Sequence, residues 1–138
     1  MELIGGHPSF LLDGAHNVAG ARALRAHLHE FGSRPLTIIF GSMTDKRIEE
    51  IAQTLFPLAD QLILTPVENP RSASIERLNG VAKQFARGEA TTVSTSLEAV
   101  NLSIESTPTS GMICVTGSLY LIGETRQLII ERQERIVA

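Results

Sequence analysis

The sequence predicts an α/β domain, a mostly parallel sheet of about six strands with helices on both faces. Three observations predict it. Short apolar runs alternate with amphipathic helical stretches along all 138 residues. Two of the runs, Leu36–Phe40 and Met112–Val115, are apolar almost throughout, as strands buried on both faces are. The joints between runs are short except at Val67–Ala73 and Ser106–Gly111, which suits strand–helix–strand crossovers.

Glu2 to Gly6 is a weak strand ended by His7-Pro8, and Phe10 to Asp13 is a firm one. Asn17 stands at an N-cap position before a helix whose apolar face is Ala21, Leu24, Leu28 and Phe31, with Gly32 as its cap at the other end. After the strand Leu36–Phe40 and the turn Gly41-Ser42, Ile48, Ile51, Ala52, Leu55 and Phe56 give a second helical face, stopped by Pro57. Gln61–Leu64 is the next strand. Ser74 caps a third helix with Ile75, Leu78, Val81, Ala82 and Phe85 on its apolar side and Gly88 as its natural end. Thr91–Val93 is a short strand. Thr95 and Glu98 form a capping box for a fourth helix running to about Glu105. Met112–Val115 is the last buried strand, and a long terminal helix follows Thr116-Gly117-Ser118 to Arg132 or beyond.

The formal net charge is −3, with two lysines, Lys46 and Lys83, and no basic stripe, which argues against nucleic acid as a partner. The one cysteine, Cys114, lies in an apolar run; it reads as a buried thiol, precludes an internal disulfide and fits a cytoplasmic location. No apolar run approaches the ~18 residues of a membrane span, and Met1-Glu2-Leu3-Ile4 lacks the basic start of a signal peptide. His27 and His29, two apart on a helix, point to different faces and make no metal pair. No Cys or His cluster has structural-zinc spacing.

The firm strands end in small or polar residues: Asp13-Gly14, Gly41-Ser42, Thr65-Pro66 and Thr116-Gly117-Ser118. In a parallel sheet these ends share one edge, where ligands bind. Asp13 there can accept hydroxyl hydrogens, as from a ribose, or it is a turn aspartate. His16 can orient a phosphate, move a proton, or bond the backbone. Arg71, in the loop Asn69-Pro70-Arg71-Ser72-Ala73, is placed for a carboxylate or phosphate or for a surface ion pair. Ser118 opens a helix whose first N–H groups can take an anion. Thr116 stands where a Gly-x-Ser-x-Gly elbow needs its first glycine, so a serine hydrolase is rejected. The chain has neither a P-loop nor a Gly-x-Gly-x-x-Gly fingerprint, so it carries no standard device for nucleotide phosphates.

Four of these stretches resemble, in order, motifs of one family. Leu12-Asp13-Gly14-Ala15-His16-Asn17 resembles the motif opening the C-terminal domain of folylpolyglutamate and dihydrofolate synthases, members of the Mur ligase superfamily. Phe40 to Lys46 resembles the family's glycine turn with Asp-Lys. Glu68 to Ser74 resembles its Pro-Arg loop, and Val115 to Glu124 resembles its Gly-Ser-Leu-Tyr turn. The likeness implies a Rossmann-like sheet over residues 1–138 as a single Mur ligase C-terminal domain. Its partner is an N-terminal ATPase domain that supplies the P-loop and the Mg2+ ligands. ATP phosphorylates a carboxylate of dihydropteroate or a folate, and the glutamate amino group attacks the acyl phosphate. Residue by residue, the likeness puts Asp13 and Asn17 at ATP, Asp13 at the ribose. It puts His16 beside the phosphates as the catalytic residue, and Arg71 and Ser118 at the site's edge or at the incoming glutamate.

Val18 replaces the family's proline after His-Asn; proline at a first helical position mainly presets φ, so little function is lost. A family Gly-Arg pair whose arginine contacts ATP would lie just before Met1, so the chain reads as an excised domain, inactive alone. Two other readings keep the same sheet edge. One is a stand-alone nucleotide- or anion-binding module without catalysis, the other the C-terminal domain of a cell-wall amino-acid ligase.

Overall fold

A computed structural model describes residues 1–137. Six strands form one sheet: β1 (Glu2–Ile4), β2 (Ser9–Asp13), β3 (Leu36–Phe40), β4 (Gln61–Leu64), β5 (Thr91–Thr92) and β6 (Met112–Thr116). Their spatial order is β1-β2-β6-β3-β4-β5. All neighbours pair parallel except β1, which runs antiparallel to β2 at the edge. The helices are α1 (Val18–Phe31), α2 (Ile48–Leu55), α3 (Ile75–Phe85), α4 (Ser96–Ser106) and α5 (Leu119–Val137), with a 3-10 turn at Phe56–Leu58. This is the α/β, Rossmann-like architecture that the sequence predicts.

Strand alternation decides which helices cover which face. Leu11, Ile38, Phe40, Leu64 and Cys114 point to a core shared with Leu24 of α1, Ile51 of α2 and Leu78 of α3. Their neighbours Leu12, Ile39, Ile63, Ile113 and Val115 point the other way, to Val100 of α4 and Ile129 of α5. Both β3 and β6 are buried at every position, as their unbroken apolar runs require. Phe40 and Phe56 meet edge to face at 5.0 Å, a favoured aromatic geometry. Burial pushes the Cys114 thiol far above its ordinary range, and the charge of Asp13 adds to the shift.

The helix caps follow the local sequence. Asn17 Oδ1 accepts the Gly20 N–H at 2.7 Å, Ser74 Oγ the Arg77 N–H at 3.1 Å, and Thr95 Oγ1 the Glu98 N–H at 3.1 Å. The capping box closes one residue early, since Glu98 Oε2 accepts from Ser94 rather than from Thr95. Gly32 caps α1 with an extended backbone and donates to Leu28 O at 2.9 Å.

Three expectations need correction. Phe31 is 62% exposed, outside the core face of α1. Ten residues after Ala21 the helix has turned about 80° off that face, and Phe31 rests against His27 instead, ring centroids 5.0 Å apart. Helix α3 ends at Phe85, where the Ala86 N–H reaches Ala82 O, ahead of Gly88. Strand β5 spans only Thr91–Thr92 and leaves out Val93.

The connection β2–α1–β3 steps over β6, and β3–α2–β4 carries on outward. The return connection β5–α4–β6 runs back over the other face, so the winding reverses at β6, and a crevice opens outside the carboxyl ends of the strands at such a point.

Candidate functional site: a small charged pocket at the carboxyl edge

Asp13, Thr116 and Phe40 are level in register across β2, β6 and β3. The three strands thus end on one line, and the turns after them crowd together. Gly117 has φ +112°, and a β-carbon there would strike Gly41 O and the Phe40 ring; only glycine fits. Beyond it, Ser118 is buried and its Oγ accepts the Tyr120 N–H at 3.1 Å. The serine hydroxyl thus caps the first turn of α5, and that turn brings the positive end of a 19-residue helix to the edge.

A cavity of about 150 Å³ lies there. Its walls combine Gly117, Ser118, Leu119 and Tyr120 from the start of α5, His16 from the turn after β2, and Met43, Asp45 and Lys46 from the loop after β3. Arg71, from the loop after β4, completes it. A larger hollow of about 460 Å³ sits at the opposite end of the sheet, against Phe10, Ile104 and Ile129. It is mainly apolar, bordered by the turn after the antiparallel β1 and far from the carboxyl ends of the parallel strands, so the smaller pocket is where the charged side chains gather.

The charged groups are held by the backbone around them. His16 Nδ1 lies 2.8 Å from Gly14 O; a carbonyl only accepts, so Nδ1 carries the proton and Nε2 stays free. The loops after β3 and β4 are stitched by Thr44 N–H to Arg71 O at 2.7 Å and Ala73 N–H to Ser42 O at 2.8 Å. Across this seam the Arg71 guanidinium meets Asp45 Oδ2 at 3.5 Å, both side chains at least half exposed. Such a pair is weak and open to exchange with a ligand. Lys46 is half-buried and pairs with no carboxylate among the described residues.

The structure brings His16, Arg71 and Ser118 together around this pocket. Asp13 and Asn17 are not among its lining residues. Asp13 Oδ1 accepts the Ala15 N–H at 2.8 Å, which shapes the turn and leaves its second oxygen available. Asn17 is exposed and spends its side-chain oxygen on the α1 cap. Lys46 was not singled out from the sequence as a site residue. Its signal was there: one of two lysines, just past the end of an apolar strand. Thr116 Oγ1 is buried without a partner at the end of β6.

An α/β sheet with His16, Lys46 and Arg71 around a small pocket at its carboxyl edge has the layout of a ligand-binding α/β domain and the charges to pair with an anion. The comparisons with known proteins are more specific: residues 1–119 match the family described as Mur ligase, glutamate ligase domain, and the chain belongs to that family. The folylpolyglutamate synthase of Lacticaseibacillus casei is 31% identical over 130 residues, 94% of this chain and 29% of that protein. The solved folylpolyglutamate synthase of Thermotoga maritima superposes with a TM-score of 0.77 at 32% identity, covering 92% of this chain and 29% of that one. E. coli FolC, solved with DHPP and ADP, superposes over 96% of this chain and 31% of its own with a TM-score of 0.85. At 20% identity that last likeness is one of fold. The chain spans about three-tenths of the length of these relatives.

Proposed function

We propose that this chain is the glutamate-ligase domain of an ATP-dependent amide ligase that joins L-glutamate to a folate or dihydropteroate carboxylate through an acyl phosphate. One observation carries the reading: the charge pattern of the pocket. Lys46 and Arg71 supply two cations, Asp45 one carboxylate, and the start of α5 a helix N-terminus. Glutamate carries two carboxylates and one ammonium, the complementary set. About 150 Å³ is below the roughly 300 Å³ of ordinary cofactor pockets, which suits a free amino acid better than a whole nucleotide.

On this reading ATP lies at the neighbouring turn. The free oxygen of Asp13 faces the ribose hydroxyls, and His16 meets the phosphates as the imidazolium, its Nε2–H donating to them. ATP phosphorylates the acceptor carboxylate. The glutamate nitrogen, having lost a proton, attacks the acyl carbon; an amide bond forms and inorganic phosphate leaves. Relatives support a nucleotide: the Mycobacterium tuberculosis enzyme was solved with ADP and AMPPCP, and the Yersinia pestis enzyme with AMPPNP and a Mn ion. Among the described residues no three His, Cys, Asp or Glu side chains gather to hold a metal. We place the divalent ion's ligands, with the P-loop, on an ATPase domain of the same polypeptide. No helix of the described residues is long and apolar enough to cross a membrane, and the single buried thiol suits the cytoplasm.

The test is an amide-forming assay on the full-length protein containing this chain. Phosphate release should require ATP, glutamate and a pteroate or folate together, and residues 1–138 alone should give none. Activity of the isolated domain would end the claim of dependence on a partner. Use of another amino acid with glutamate ignored would end the folate assignment.

A further inference from the structure

The loop that carries Arg71 contains no strand, yet Arg71 has to face Ser118 and Leu119 across the pocket. The carboxyl half of the loop is held by the Thr44–Arg71 and Ser42–Ala73 backbone bonds and the Met43–Ser72 bridge. Its middle is closed on itself, with Asn69 Oδ1 accepting the Arg71 N–H at 2.9 Å. Its amino end packs Val67 into the core beside Leu121 of α5 and has one hydrogen bond to that helix: the Glu68 N–H donates to Glu124 Oε2 at 3.1 Å, across 56 residues of sequence. Glu124 stands on α5, six residues and less than two turns beyond Ser118. Its second oxygen, Oε1, is buried and has no partner. A carboxylate oxygen taken from water without a donor is costly, and an outward rotamer would avoid that cost. The Glu68 N–H is the one hydrogen-bond donor this carboxylate has among the described residues.

We propose that Glu124 is a positioning residue for the amino-acid site, fixing the Arg71 loop to α5 so that the guanidinium and the first turn of that helix keep their spacing. It touches neither the pocket nor a reacting atom; it acts through Glu68 and the loop. This rests on reading the pocket as the glutamate site, and it separates two jobs within one helix. The first turn of α5 forms the pocket wall, and Glu124 sets the distance to the wall opposite.

The experiment uses the full-length protein and three variants, with hydrogen exchange measured alongside kinetics. In Glu124→Ala the Glu68 amide should exchange at least about tenfold faster, since a bond to a charged acceptor is lost. The KM for glutamate should rise about tenfold, with kcat and the KM for ATP within about twofold of wild type. Glu124→Gln keeps one acceptor oxygen for the Glu68 N–H and should restore both readouts to within about threefold. Should the alanine variant fail to fold, Glu124→Asp, whose carboxylate is one methylene short of Glu68, takes its place. An unchanged Glu68 exchange rate would overturn the tie. Faster exchange with an unchanged KM, or no rescue by glutamine, would overturn the positioning role. If the wild type does not use glutamate at all, the functional reading falls, and the exchange data still decide whether Glu124 orders the loop.

Discussion

Leu119 lies directly across the backbone of Gly14, so that a β-carbon at residue 14 would collide with the end of the leucine side chain. Two motifs 105 residues apart thus share a surface. One ends β2 and the other begins α5, and the glycine is needed for close approach rather than for an unusual φ. Leu119 is 66% exposed, so its far end has room to rotate away. Gly14→Ala should therefore cost under about 1 kcal/mol of stability, while the displaced leucine, a wall of the pocket, raises the KM for glutamate about three- to tenfold. Denaturant titration beside steady-state kinetics checks both. An unaltered KM would mean that the leucine wall does not shape the amino-acid site.

Gly117→Ala should behave in the opposite way. Its φ of +112° and its contact with Gly41 O leave no cheap adjustment, because the obstructing atom is backbone. We expect a loss of about 2–3 kcal/mol, from strain and steric overlap together. Urea unfolding of the isolated domain measures it directly.

The proposed division between Asp13 and His16 is separable by kinetics. In the full-length ligase, Asp13→Ala should raise the KM for ATP about three- to tenfold, as expected for one or two lost hydrogen bonds of roughly 0.5–1.5 kcal/mol each. His16→Ala should lower kcat at least about tenfold if Nε2 faces the phosphates. A fall in thermal stability with kcat retained would instead confine His16 to its bond with Gly14 O.

The amino ends of the strands predict a pH dependence. Burial tends to raise the Asp60 carboxyl, but the Leu36 N–H and the guanidinium groups of Arg87 and Arg34 outweigh it, and its pKa lies below the ordinary value. A depressed carboxyl stabilises the fold fully above its unfolded pKa near 4 and loses that contribution as pH falls through the folded value. Stability should decline below about pH 4, and Asp60→Asn should flatten that decline. Asp60→Ala, which strands the Leu36 N–H, should cost about 1–3 kcal/mol at neutral pH. Thermal melts from pH 2 to 7 give both results; an acid limb unchanged in Asp60→Asn would place the pH dependence elsewhere.

What the sequence made legible was local or periodic. The caps at Asn17, Ser74 and Thr95 lie within three residues of the N–H groups they bind. The doubly buried strands β3 and β6 announce themselves as apolar runs. The shared polar edge follows once strands are taken as parallel. What stayed hidden was non-local. The Glu68–Glu124 and Arg34–Asp60–Arg87 ties join residues tens of positions apart, and no spacing rule links them. The pocket shows the same limit. Asp13 and His16 sit in one turn, yet only His16 lines the cavity, because Asp13 bends back to the Ala15 N–H. Lys46 entered as part of a motif, and only the fold placed it in one pocket with Arg71.

The strand order has a consequence for biosynthesis. Strands β2 and β3 never pair with each other; β6, made last, is inserted between them. Until residue 116 has left the ribosome, the nascent sheet has a strand-wide slot with two apolar edges open. Those edges are the kind that invite pairing with other chains. A nascent or truncated chain ending before Met112 should therefore aggregate or need a chaperone, and folding should complete in one late step when the final strand closes the slot.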